Sequence, residues 1–109
     1  VHNFKRLERR RVAITLGVLY QTSPEQLRQI PEMVKEVFTD RDHVTLDRVH
    51  LASFGDFSIN FELIYWVESD DYIIHMDEKE KILLAIFDKF IENGVEFAYP
   101  TQSIFIENN

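Results

Sequence analysis

Cysteine is absent from the 109 residues, which excludes a disulfide framework, a thiolate metal site and a cysteine nucleophile, and fits a reducing compartment. Long apolar runs are absent too: none approaches the roughly 20 residues that a membrane-spanning helix needs. The basic start is not followed by an apolar stretch with a small-residue cleavage site, so no signal peptide is expected. Glycine is scarce, at 3 residues, and no Gly-rich phosphate loop can be built from it. Positive charge is scarce once the N-terminus is passed. Lys5, Arg6, Arg9, Arg10 and Arg11 precede a remainder holding 7 basic and 18 acidic residues. Such a body repels nucleic-acid phosphates and anionic headgroups, so no nucleic-acid partner is expected and only the N-terminal segment can attract them. There is no repeat at solenoid period and no low-complexity tract. The first residue is Val1, not Met, and the chain is expected to be a piece of a longer protein, removal of Met by processing being the alternative.

What is present is enough apolar material for one core. Hydrophobic residues make up 45% of the chain, and a single domain of this length buries about two-thirds of its unfolded surface. Val12, Ile14, Leu16 and Val18 alternate with smaller or polar neighbours, as a half-buried strand does. Thr22-Ser23-Pro24 then starts a helix: Ser23 caps, Pro24 suits the first position, and Gln26 has capping-box spacing. Leu27, Ile30, Val34, Val37 and Phe38 follow at helical spacing, with Pro31 among them, and a bend or a first turn of different geometry is expected just before it. A second strand is read over about residues 48–54, a two-residue hairpin turn at Gly55-Asp56, and a third strand with Phe57, Ile59, Phe61, Leu63, Tyr65 and Val67 on one face. Residues 68–76 read as an acidic connection, with Asp77 capping a second helix and Glu80 completing its box. Ile82, Leu83, Ile86, Phe87, Phe90 and Ile91 form an apolar stripe expected to face the sheet. Gly94 closes that helix, and residues 95–98 and 103–106 read as strand-like pieces split by Pro100.

The order β-α-β-β-α-β predicts an α+β fold, the ferredoxin-like sandwich with a four-stranded antiparallel sheet and both helices on one face. Residues 1–10, polar and basic, read as a linker or entry segment and residues 11–107 as the α/β domain. On the third strand Ile64 and Trp66 point to the side without helices, an exposed pair that predicts burial against another domain or subunit.

No chemistry-bearing pattern emerges. His2, His43, His50 and His75 match no metal-ligand spacing and read as solvated loop residues. A Ser-His-Asp set assembled from Ser53 or Ser58, His50 and Asp56 lacks a nucleophile elbow. Phe57, Phe61 and Tyr65 point to the helix-covered face by parity, so a base-stacking platform is not expected. No cofactor, metal or catalytic residue is predicted. Read from the residues, the run Arg9-Arg10-Arg11 is solvated linker, the commonest case, or an anionic-lipid contact, with linker preferred.

Several segments together carry a resemblance. They are Val1-His2-Asn3-Phe4-Lys5-Arg6 with Arg10-Arg11-Val12, Tyr20-Gln21-Thr22-Ser23-Pro24, Phe54-Gly55-Asp56-Phe57-Ser58-Ile59, Ile64-Tyr65-Trp66-Val67, and Asn93-Gly94-Val95-Glu96-Phe97-Ala98-Tyr99-Pro100-Thr101-Gln102. In that order and spacing they resemble the C-terminal cytoplasmic domain of small-conductance mechanosensitive channels. The pore helices and middle β-domain of that family are absent from the chain. The resemblance implies a non-enzymatic vestibule wall on the cytoplasmic face of a cell membrane. It implies partners too: other copies of the chain, seven in the family, and the upstream membrane and β-domains. It implies a role in solute access to the pore during osmotic-stress release. Ile64, Trp66, Pro100, Thr101 and Gln102 are then candidate subunit or domain contacts, and Lys5, Arg6, Arg9, Arg10 and Arg11 a candidate portal or linker. A different class stays open, a stand-alone ferredoxin-like module that binds a small ligand and regulates.

Overall fold

Alternation at the start of the chain produces the first strand in a computed structural model that describes residues 9–98. Strand β1 runs Arg10–Val18, helix α1 Pro24–Val37, strand β2 Val44–Phe54, strand β3 Ile59–Val67 and helix α2 Tyr72–Glu92. Strand β3 lies between the other two, antiparallel to each, giving the order β1-β3-β2. Its core face, Ile59, Phe61, Leu63, Tyr65 and Val67, is wholly buried. Opposite it in β1 stand Val12, Ile14, Leu16 and Val18.

Helix α1 begins as its capping chemistry requires. The Ser23 hydroxyl accepts from Gln26 N at 3.1 Å and the Gln26 amide oxygen accepts from Ser23 N at 3.0 Å, so two otherwise orphaned donors are satisfied reciprocally. The helix runs unbroken through Pro31; no restart occurs there. Ile30, Met33, Val34 and Val37, buried on both sides of the proline in sequence, anchor the helix by packing, which outweighs the one backbone bond a proline removes.

Three expectations need correction, and the four-stranded sheet is met in part. Among the described residues the sheet has three strands, and residues 95–98 add a single antiparallel bridge, Val18 to Phe97, flanked by Leu19 N to Glu96 O at 3.1 Å and Ala98 N to Gly17 O at 2.9 Å. The expected piece at residues 103–106 lies outside the described residues. Strand β2 starts at Val44, earlier than expected. The turn after Phe54 is a four-residue loop, since Phe54 pairs with Ile59 and Gly55 N bonds Ser58 O at 2.7 Å. Phe57 therefore leaves the strand and is 60% exposed instead of core. Helix α2 starts after Asp71, whose carboxylate accepts from Ile73 N at 2.9 Å, so Asp77 is an interior helical residue and most of the supposed acidic connection is helix.

At the far end Gly94 takes φ +73°, the left-handed conformation that closes a helix and that glycine enters without a Cβ penalty. Gln26 reaches across to this end, its amide nitrogen donating to Asn93 O at 3.0 Å and Gly94 O at 3.2 Å. One side chain thus serves the start of α1 and the finish of α2.

Candidate interaction surfaces

Strand parity splits the basic run. Arg9 and Arg11 belong to the helix-free face and Arg10 to the core face, because neighbouring strand residues alternate sides. Arg9 forms a two-pronged pair with Glu68 at 3.1 and 2.8 Å and lies 4.2 Å over the Trp66 ring. These hydrogen bonds, then one from Thr45, hold the Glu68 carboxyl below its usual range. Arg10 instead turns toward α2, 5.5 Å over the Tyr72 ring. The three arginines therefore do not form one cation cluster. Lys5 and Arg6 lie outside the described residues.

The helix-free face of the sheet is less open than its sequence implies. Ile64 is 1% exposed, between Ala13 and Arg48 in register, so the expected exposed pair reduces to Trp66. Trp66 is half-buried, its indole N–H donating to Asp47 at 3.2 Å while Arg9 covers its ring. Pro100, Thr101 and Gln102 lie outside the described residues.

The large exposed apolar side chains cluster on α2. Ile82, Ile86 and Phe90 are buried as expected, but Leu83 (38%), Leu84 (57%), Phe87 (49%) and Ile91 (60%) face solvent, with Ile73 and Met76 further toward the N-terminus. The stripe predicted to face the sheet is thus two stripes. At 100° per residue, Leu84, Phe87 and Ile91 fall on the side away from Ile82, Ile86 and Phe90. At its end this outer face meets a groove of 270 Å³ lined by Phe87, Ile91, Val95, Glu96 and Phe97, where Phe97 stacks on Phe87 and Phe90 at 5.9 and 4.8 Å between ring centres. Sequence reasoning missed this face. Its signal was the number of apolar residues from Ile82 to Ile91, more than one buried stripe accommodates.

A second groove of 350 Å³ lies between α1 and β2, floored by Leu27, Pro31, Val49, Leu51 and Phe61 and edged by Arg28, Lys35 and His50.

Polar groups meet under the first turns of α2. The Tyr72 and His75 rings are 5.4 Å apart, and Arg10 Nε, Tyr65 OH and His75 Nδ1 are buried without a hydrogen-bond partner among the described residues. Burial, then the nearby Arg10 and Lys79, pulls the His75 imidazole below its usual value. Burial and then the Glu78 carboxylate push the Tyr65 hydroxyl up to about 12. No nucleophile–base pair results. Ser53 and Ser58 bond Asn60, at 3.3 and 2.7 Å, and neither bonds His50 or Asp56 among the described residues. Among those residues no three His, Asp or Glu side chains converge as a metal site requires, and no helix is long and apolar enough to cross a membrane.

Residues 12–97 match the family model described as the C-terminal part of the mechanosensitive ion channel MscS. The chain is 31% identical over its whole length to the small-conductance mechanosensitive channel MscMJ of Methanocaldococcus jannaschii, covering 31% of that protein. It is 34% identical, over 98% of its length, to an MscS family protein of Aquifex aeolicus, covering 30% of it. It spans about a third of the length of these relatives. Among solved structures, the closed-state crystal structure of Helicobacter pylori MscS overlays with a TM-score of 0.69 at 20% identity, over 93% of this chain and 39% of that one, a likeness of fold.

Proposed function

Because the chain belongs to the MscS family of mechanosensitive channels, as its C-terminal domain, we propose that it is a wall segment of a vestibule on the cytoplasmic face of a membrane, assembled from several copies of one subunit. The domain contributes contacts that hold the copies together and shapes the path of solutes to the pore during osmotic release. Its relatives carry the name of channels, and the reading includes no catalysis. The heptamer, the upstream β-domain and the linker at residues 1–10 belong to the same proposal, as do the domain limits at residues 11–107. So does a fourth strand completing the ferredoxin-like sheet beside β1, where Phe97 already bridges Val18.

The observation that carries this reading is the family match from residue 12 to residue 97. The unpartnered apolar face of α2 supports it, since contiguous exposed apolar surface marks a contact site. Trp66 and residues 100–102 remain candidate contacts within the proposal, Ile64 being buried in its own chain, and Arg9 and Arg11 candidate portal charges. The stand-alone ligand-binding module is not favoured by the family match, which covers residues 12–97. The test is the complete gene product. Its reading frame is expected to encode several membrane spans ahead of Val1, and its expression to protect channel-deficient cells against sudden dilution of the medium. A full-length product without spans, or with spans but no protection and no tension-gated current, overturns the reading.

A further inference from the structure

The vestibule reading leaves open which surfaces of neighbouring copies meet. We propose that the outer apolar face of α2 on one copy seats in the α1–β2 groove of the next, so that one contact repeats head to tail around the ring. The inference rests on the channel reading and adds its contact surfaces.

The first argument is charge. The α2 face carries Leu84, Phe87 and Ile91, with Glu80, Asp88 and Glu96 among and beside them. The groove has an apolar floor and is edged by Arg28, Lys35 and His50. Beyond Arg11 the chain has only 7 basic residues against 18 acidic ones, so two of the few cations edge this one groove. Apolar surface rimmed by acid fits apolar surface rimmed by base, and complementary rims fix both partner and register.

The second argument is symmetry. A two-fold contact brings a face against itself, whereas a ring of more than two copies needs two different faces that fit each other. The α2 face against its own copy sets one acidic rim, Glu80, Asp88 and Glu96, against another, and the two repel. Against the groove it meets the opposite sign.

The third argument is placement. Lys89 is two residues on from Phe87, about 200° around the helix, and its ammonium bonds Glu36 of α1 at 2.6 Å. Phe87 therefore faces away from α1. Phe97, stacked on Phe87, is bridged to β1, while β2 and the groove lie at the other edge of the β1-β3-β2 sheet. The two surfaces sit on opposite flanks, as head-to-tail closure needs. Direct strand addition at the β2 edge is discouraged by its two register shifts, between Leu46 and Arg48 and between Leu51 and Ser53, because bulges interrupt the ladder a second strand would extend.

The test is disulfide trapping in the full-length gene product, in an otherwise cysteine-free background, under mild oxidation in its membrane. Leu51→Cys with Phe87→Cys in one chain is expected to yield a ladder of covalent multimers, and either variant alone none. A dimer from Phe87→Cys alone shows a two-fold contact and overturns the proposal. So does an intact ring whose double variant stays uncrosslinked, which is also the outcome if another segment of the chain covers α2. Charge exchange supplies a second readout. Arg28→Glu with Lys35→Glu is expected to dissociate the ring, and adding Glu80→Lys with Asp88→Lys to restore it; dissociation without restoration overturns the pairing. A wild-type product that is monomeric by native mass spectrometry overturns the channel reading itself, whereas the other failures leave that reading standing.

Discussion

His75 shows how one side chain couples the start of a helix to the strand beneath it. The residue is 8% exposed and its ring lies tilted beside that of Tyr72, which in turn lies under Arg10 of β1. Burial, Arg10 and Lys79 all disfavour its protonation; Glu78, on the same helix, is drawn instead toward Lys81 at 3.9 Å. The unfolded chain therefore binds a proton at this site more readily than the folded one. Stability from this group is full above the usual value of 6.5 and is lost as pH falls from there toward the lowered folded value. Thermal unfolding of the isolated chain is expected to show a lower midpoint at pH 5 than at pH 7.5, and His75→Gln is expected to shrink that difference. An unchanged difference in the variant shows that other groups carry the acid sensitivity. This histidine reads in sequence as a loop residue because Asp70, Asp71 and Asp77 make its surroundings look like a polar connection. The local pattern favours Asp77 as the cap, because only Asp77 is followed at capping-box spacing by a glutamate, Glu80. Packing of His75 and Glu78 against the sheet side decides for Asp71 instead, and that is a tertiary fact.

At the scale of elements, what was legible was what local chemistry determines. The Ser23–Gln26 box, the alternation in β1 and β3 and the glycine closure at Gly94 each follow from neighbours in the sequence, and each stands in the structure. What escaped depends on distant partners: the extra turns of α2, the ejection of Phe57 by a four-residue loop, and the link from Gln26 to the end of α2. That link makes an unusual forecast. Glutamate at the third helical position ordinarily serves a capping box as well as glutamine does. Here Gln26→Glu keeps the acceptor for Ser23 N but removes the donor that serves Asn93 O and Gly94 O, and sets a carboxylate against two carbonyl oxygens. Urea unfolding is expected to show a loss of about 1–3 kcal/mol, the range for stranding polar groups whose partner has been removed. A neutral or stabilising result shows that the contact to α2 has no energetic weight.

For the whole molecule, α2 is the element with two apolar stripes: one builds this chain's core and the other is left exposed by the described residues. Phe90 and Phe87 separate the two roles with the same side chain three residues apart. Phe90 is fully buried and packs on Phe97 at 4.8 Å, whereas Phe87 is half exposed and reaches the same ring at 5.9 Å. Truncating a buried phenylalanine costs roughly 3–5 kcal/mol through lost transfer energy and the cavity left behind, a large part of a small domain's total stability. Truncating one whose outer half is already in water loses only its contact with Phe97. Phe90→Ala is therefore expected to unfold the isolated chain or lower its denaturation midpoint severely. Phe87→Ser is expected to cost about 1 kcal/mol, the centre of the range for single substitutions, yet to disrupt assembly of the full-length product. Paired measurements of chemical denaturation on the chain and of oligomer size on the full-length protein check both halves. If Phe87→Ser destabilises as much as Phe90→Ala, the outer stripe belongs to the fold. If it leaves both stability and assembly intact, that stripe is surface without a partner, and the ring is held together elsewhere.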